Sequence, residues 1–188
     1  MPPETPAVEA DMSATSPHDR AARIRLACFD VDGTLTDGRL RYDDRGVETK
    51  AFHVQDGLGL RLLEDHGIQV AIITARRGQM VELRARELRL SHIFTGVEDK
   101  ADCLRRLAGR LGLSLQEVSH MGDDLPDLPA LSLAGLAAAP ADAHPWVAER
   151  VHWRSRAAGG AGAVREFCDL LLEARGLRRE ILDRYGAT

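Results

Sequence analysis

Five short apolar runs punctuate this chain: "IRLACFDVD", "IQVAIITA", "IFTGV", "VSHMGDD" and "LAAAP". Between them lie "DGLGLRLLEDHG", "RRGQMVELRARELRL", "KADCLRRLAGRLG" and "LPDLPALSLAG", whose apolar residues recur at helical intervals. A run of four to eight apolar residues without alternation suits a strand buried on both faces. Strands of that kind, separated by helices and joined by short links, demand a mostly parallel sheet with helices on both sides. The expected fold is therefore α/β, a doubly wound, Rossmann-like sheet. In such sheets ligands bind beyond the carboxyl ends of the strands.

The helical segments carry their own punctuation. Asp56 is the expected cap and Gly67 the stop of the first helix. Met80, Leu83 and Leu88 give the second its apolar spacing, and Leu104, Leu107 and Leu111 the third. "SLQE", Ser114–Glu117, is a capping-box pattern. "AGAVREFCDLLLEARG" is an amphipathic helix around Val164, Phe167, Leu170 and Leu171. Residues 38–54, "GRLRYDDRGVETKAFHV", read as a β-hairpin turning at "DDRG". Residues 1–23 are rich in Pro, Glu, Asp and Ser and read as a disordered arm. The 188 residues then make one domain over 24–188, with a hairpin insert at 38–54 and a Gly-rich segment plus C-terminal helix over 157–188.

Polar residues fall where the strands end: Asp30 and Asp32, then Thr74, then Asp123 and Asp124. Residues i and i+2 of a strand face the same side, so the Asp30 and Asp32 carboxylates would repel unless a cation lay between them. A hard cation such as Mg2+ takes oxygen ligands, with one or two carboxylates and a substrate phosphate as the usual set. A carboxylate beside a phosphoryl group is also a nucleophile, and a neighbouring acid can move the proton. The Thr74 hydroxyl and the Lys100 ammonium suit the phosphoryl oxygens. Each feature alone is ordinary, since Asp-x-Asp-Gly is a common turn and Lys100 a common surface charge. Their order and strand-end placement together carry the argument.

Composition removes other classes. The net charge of −4 offers no basic face for nucleic acid. The first twenty residues do not read as a signal peptide, and no apolar run has bilayer length. Three well-separated cysteines, Cys28, Cys103 and Cys168, suit free thiols in a reducing compartment, so the expected location is cytoplasmic.

"DVDGT", "IITA" with Thr74, Lys100 and "GDDLPD" resemble the four motifs of the haloacid-dehalogenase superfamily of phosphatases. That resemblance implies Asp30 as nucleophile and Asp32 as general acid/base. It implies Mg2+ on the Asp30 carboxylate, the Asp32 carbonyl and Asp123, with Thr74 and Lys100 on the phosphoryl group. Asp124 and Asp127 would support the metal or orient Lys100. "KAFHVQDGLGLRLL", "ADAHP" and "GAVREFCDLLL" extend the similarity over about residues 24–182, to the subfamily of 3-deoxy-D-manno-octulosonate (Kdo) 8-phosphate phosphatases. Those enzymes lack a large cap and carry a hairpin instead.

The subfamily resemblance implies a sugar-acid phosphate substrate in lipopolysaccharide synthesis and a homotetramer. Its substrate contacts map to Asp32, His53, Val54, Gln55, Asp56, Gly57, Arg61, Arg76, Arg84 and Lys100. It also implies that the Gly-rich segment "AAGGAGAVRE" can reach a neighbouring subunit's active site. Ala75, His53 and Gln55 depart from the usual Gly, Asn and Arg. His53 and Gln55 leave open a nine-carbon substrate, 2-keto-3-deoxynononic acid 9-phosphate. A non-catalytic tetramerising domain is the reading from another class, and the intact set Asp30, Asp32, Lys100 and Asp123 weighs against it.

Overall fold

The computed structural model describes residues 15–187. Eight strands and eight helices follow in order: α1 Pro17–Ala21, β1 Leu26–Phe29, β2 Arg41–Tyr42, β3 Glu48–Thr49, α2 Val54–Asp65, β4 Gln69–Thr74, α3 Gln79–Glu87 and β5 His92–Thr95. Then come α4 Lys100–Arg110, β6 Val118–Met121, α5 Leu128–Leu133, β7 Leu136–Ala139, α6 Pro145–Ala148, β8 Trp153–Arg154, α7 Ala163–Ala174 and α8 Arg178–Arg184. Short 3₁₀ turns, Leu115–Glu117 and Leu125–Asp127, precede β6 and α5. The "SLQE" capping box is formed on the first of them, with Ser114 and Glu117 reciprocally bonded. Among the described residues, no helix is long and apolar enough to cross a membrane.

The main sheet has six strands in the order β5-β4-β1-β6-β7-β8, every neighbouring pair parallel. Strand alternation sorts its side chains between two cores. Ala27, Phe29, Val70 and Ile72 face α1, α2, α3 and α7, where Leu60, Leu63, Val81, Phe167 and Leu171 are buried. Leu26, Cys28, Ala71 and Ile73 face α4 and α5, against Leu104, Leu107 and Ala130. Phe29 and Phe167 meet edge to face at 6.0 Å between ring centroids, which ties the central strand to α7. From β1 the chain builds outward through β4 and β5, then crosses back to build β6, β7 and β8 on the other side. The reversal leaves a crevice between the carboxyl ends of β1 and β6.

Several expectations change. The arm expected over residues 1–23 falls on 1–14, outside the described residues, only for its first part. Its end is ordered: Ser16 caps α1, and Ala21 is buried in the core. The edge strand β8 and helix α6 had no periodic signal because each is four residues or fewer. The hairpin insert is paired over only two residues per strand. The cap of α2 is His53; Asp56 lies inside the first turn and is buried. Its Oδ1 accepts from Arg165 N at 2.7 Å, so it joins α2 to α7 instead of capping. On α3 the buried residues are Val81 and Ala85, while Leu83 is exposed.

Candidate active site

β1 and β6 are neighbours, and the loops after them deliver Asp30 and Asp123 to one place. Asp30 N donates to Met121 O at 2.9 Å, which carries the strand pairing one residue past β1. The chain then turns sharply, with Leu35 N and Thr36 N both bonded to Val31 O. Gly33 sits in this turn at φ +92°, and a Cβ there would overlap the Asp123 carboxylate. Glycine is thus required both for the backbone conformation and for the close approach of the two loops.

This turn corrects the expected Asp30–Asp32 geometry. β1 ends at Phe29, so the two-residue strand period does not hold over residues 30–32. Asp30 points to Lys100, while the turn carries the Asp32 carboxylate to Lys50 and Arg76.

Lys100 is the first residue of α4 and is buried. Its Nζ lies 2.7 Å from both Asp30 Oδ1 and Asp127 Oδ1. Asp127 Oδ1 also lies 3.0 Å from Nε2 of the fully buried His120, and its Oδ2 accepts from Asp123 N at 3.2 Å. With both oxygens engaged, Asp127 is placed to orient Lys100. Asp124 lines the same pocket as Asp30, Lys100 and Asp127, and its Oδ1 caps the following 3₁₀ turn by accepting from Leu125 N.

Burial pushes the Asp30 carboxyl up to about 6; the charge of Asp127 adds to this and Lys100 opposes it. Burial likewise lifts Asp123 to about 7, helped by Asp30 and Asp127 and opposed by the Thr34 hydroxyl and Lys100. Asp127 ends at the other extreme. Burial raises it, but His120 and Lys100 more than compensate and bring it down to about 2. Carboxylate oxygens of Asp30, Asp123 and Asp127 lie within 4.8 Å of one another. Since Asp127 is already satisfied, Asp30 and Asp123 are the donors left for a cation. A pair of hard, desolvated carboxylates facing an open pocket fits Mg2+.

Thr74, the buried last residue of β4, completes the mouth of the pocket, and its Oγ1 accepts from Arg76 N at 3.3 Å. Asp30, Asp32, Thr74, Arg76, Lys100 and Asp123 line one pocket. His53, Asp56, Gly57 and Arg84 line a second, small apolar cavity beside Leu35 of the β1 loop. Val54 and Gln55 are exposed at the start of α2. Arg61 is in neither group: its guanidinium donates to Leu88 O at 2.9 Å and pairs with Asp65 at 3.1 Å. The Gly-rich segment is not a free arm. Gly160 N donates to Thr34 O at 3.1 Å, and Gly159 packs so closely on Gly33 O that no side chain fits there. Asp142 holds it in place by accepting from Gly159 N at 2.9 Å.

The chain is 45% identical over 156 residues to the 3-deoxy-D-manno-octulosonate 8-phosphate phosphatase of Yersinia pestis, with 83% of each chain covered. It belongs to the Kdo 8-phosphate phosphatase family. A profile of haloacid dehalogenase-like hydrolases matches residues 91–158. Among solved structures, the family's enzyme from Moraxella catarrhalis, in complex with magnesium, phosphate and Kdo, superposes with a TM-score of 0.88. It is 41% identical, over 90% of this chain and 97% of that one. A hypothetical protein from Xanthomonas campestris matches at 54% identity and a TM-score of 0.89, over 96% and 99% of the two chains. This family member is thus a phosphatase with a magnesium-type site.

Sequence reasoning passed over three residues here: His120, Glu48 and Lys50. His120 is a mid-strand residue in "VSHM" and carries no signal of its own. Glu48 and Lys50 flank Thr49 in the hairpin, where alternating charge reads as solvent-facing. Their placement at the site depends on how the hairpin folds back.

Proposed function

We propose that this chain hydrolyses Kdo 8-phosphate to Kdo and inorganic phosphate, in the cytoplasm, on the way to lipopolysaccharide. The observation that carries the chemistry is the Asp30–Lys100–Asp127 triplet beside Asp123. Its likeness to a Kdo-binding relative supports the substrate.

Asp30 and Asp123, with the Asp32 carbonyl, would hold Mg2+, which when bound offsets negative charge on the phosphoryl oxygens and on Asp30. A carboxylate oxygen of Asp30 attacks phosphorus, the bond from phosphorus to the sugar oxygen breaks, and Asp32 gives its proton to the departing alkoxide. The product of this half is an aspartyl-phosphate on Asp30 and free Kdo. Asp32 then takes a proton from water, the hydroxide attacks phosphorus, and Asp30 is released with inorganic phosphate. Lys100 and Thr74 bind the phosphoryl oxygens in both halves, with Lys100 held in place by Asp127. Arg76, beside Thr74, supplies a guanidinium fork for an anionic group of the substrate. Arg84 and His53, which line the adjacent cavity, would contact the sugar end.

A homotetramer built on the hairpins belongs to the same reading. Leu40, Tyr42, Val47 and Val54, on the hairpin and the start of α2, are large apolar residues left 51%, 58%, 52% and 79% exposed in the single chain.

Phosphate release tests the function. Purified protein is given Kdo 8-phosphate, 2-keto-3-deoxynononic acid 9-phosphate, arabinose 5-phosphate and an aryl phosphate, each with magnesium and with chelator. Magnesium-dependent preference for Kdo 8-phosphate is expected. Preference for another sugar keeps the mechanism and replaces the substrate, whereas silence on all four returns the chain to a non-catalytic role.

A further inference from the structure

β3 and the residue after it place two charged side chains in the active site. Lys50, just past β3, has only 5% of its side chain exposed. Its ammonium bonds to Asp32 Oδ1 and lies 3.1 Å from Glu48 Oε1. The other oxygen of Glu48 accepts from Arg76 Nη2 at 2.7 Å. Arg76 Nε lies 3.7 Å from Asp32 Oδ2, which closes the figure. Two cations and two carboxylates therefore alternate around a ring of four, and each touches both members of opposite sign. Asp32 and Arg76 belong to the body of the domain; Glu48 and Lys50 belong to the insert.

A buried ammonium is costly unless it is paired, and Lys50 has no purpose in packing the hairpin, whose strands are only two residues long. Tyr42, paired with Glu48 across the hairpin, is exposed, so the two strands have almost no apolar core of their own. The ion ring ties β3 to the body of the domain, alongside Phe52, which packs on the core after the hairpin. Asp32 sits on a turn past the end of β1, and its carboxylate meets the two cations of this ring.

We propose that Lys50 is a positioning residue for the general acid/base: the hairpin acts on its own chain's active site by aiming the Asp32 carboxylate. Glu48 is the second member of the device and holds Arg76 and Lys50 apart at the correct spacing. The inference rests on the phosphatase reading above. It assigns the insert a task within one subunit, separate from any contact between subunits.

The test compares Lys50→Met, which keeps length and removes charge, with Lys50→Arg, in the wild-type and Asp32→Asn backgrounds. Turnover is measured on Kdo 8-phosphate and on an aryl phosphate. Lys50→Met is expected to lower kcat by about 10²-fold, the usual result of misplacing a catalytic group by about an ångström, with KM within threefold. Lys50→Arg is expected to recover most of the loss. In the Asp32→Asn background Lys50→Met is expected to add nothing, because a residue acting through Asp32 has nothing left to aim. An equal loss in both backgrounds overturns the proposal, and so does a loss confined to KM. If wild-type protein ignores Kdo 8-phosphate but cleaves the aryl phosphate, the substrate assignment fails while the Lys50 test still reads. If it cleaves neither, a crystal structure of Lys50→Met decides: an unmoved Asp32 side chain overturns the positioning role.

Discussion

Lys100 Nζ lies 2.7 Å from Asp30 Oδ1, with 4% and 8% of the two side chains exposed. A buried lysine thus holds the proposed nucleophile, and Asp127 holds the lysine from the other side at the same distance.

Asp30→Asn removes the nucleophile while keeping its shape. Phosphate release is expected to fall by ~10³-fold or more. The fold is expected to survive, because ionised Asp30 is unfavourable where it stands. Circular dichroism and a thermal melt at pH 8 check this; near-normal turnover in a folded variant rules out the aspartyl-phosphate route.

Lys100→Met leaves Asp30 buried without its cation, beside Asp127, which keeps only His120 and the Asp123 N–H as partners. Loss of one partner from such a buried set costs about 3–5 kcal/mol. Urea denaturation at pH 8 is expected to show a drop of that order, along with loss of turnover. A stability equal to wild type would mean that water, not Lys100, satisfies the two carboxylates.

Magnesium and protons compete for Asp30 and Asp123. Their carboxyls are pushed up to about 6 and about 7, so near pH 6 much of the metal-free protein carries protons there. A raised carboxyl stabilises the fold at low pH and loses that contribution as pH rises through its folded-state value. The melting temperature of metal-free protein is therefore expected to fall between pH 5 and pH 8, and magnesium to restore it at pH 8. Calorimetry in two buffers of different ionisation enthalpy is expected to show proton release on magnesium binding at pH 6.5 and little at pH 8.5. Affinity independent of pH would refute this assignment. Asp127, held down at about 2, has the opposite sign: its contribution is present above the ordinary carboxylate range and is lost as pH falls toward 2.

Two glycines predict opposite outcomes. Gly159 lies against Gly33 O, and any side chain there forces the Gly-rich segment off the β1 loop. Gly159→Ala is expected to lower both the melting temperature and kcat. Gly109, inside α4 with open space around its Cα, should accept a methyl group freely. Gly109→Ala is expected to stabilise by about 0.5–1 kcal/mol with kcat unchanged.

The exposed hairpin residues give the assembly a direct test. Tyr42→Glu combined with Val47→Glu puts charge into the apolar patch. Sedimentation is expected to show a tetramer for wild type and smaller species for the double variant. A wild-type monomer would leave the patch without this role.

Much of the site was legible in the chain. A strand buried on both faces has few alternatives, so the apolar runs around Phe29, Ile72 and Val118 gave the parallel sheet. Acids at the ends of such runs then had to meet at the sheet's carboxyl edge, which is where Asp30, Lys100 and Asp123 meet. The hairpin was legible from its turn, though not the two-residue extent of its strands. β8 and α6 were not legible, because they are held by neighbours instead of by their own period.

By itself, then, the sequence determined the layer order and the catalytic edge, because burial and strand pairing act through local patterns. It could not determine where Asp32 points, that Asp127 is consumed by Lys100 and His120, or that Arg61 is tied to Leu88 O. Nor could it show that the Gly-rich segment lies on its own β1 loop, or that Lys50 closes a ring of charge with Asp32. Those are contacts between groups far apart in the chain. A turn or a two-residue strand places such groups with no periodicity to reveal it, and only the packed structure decides which charges share a desolvated space.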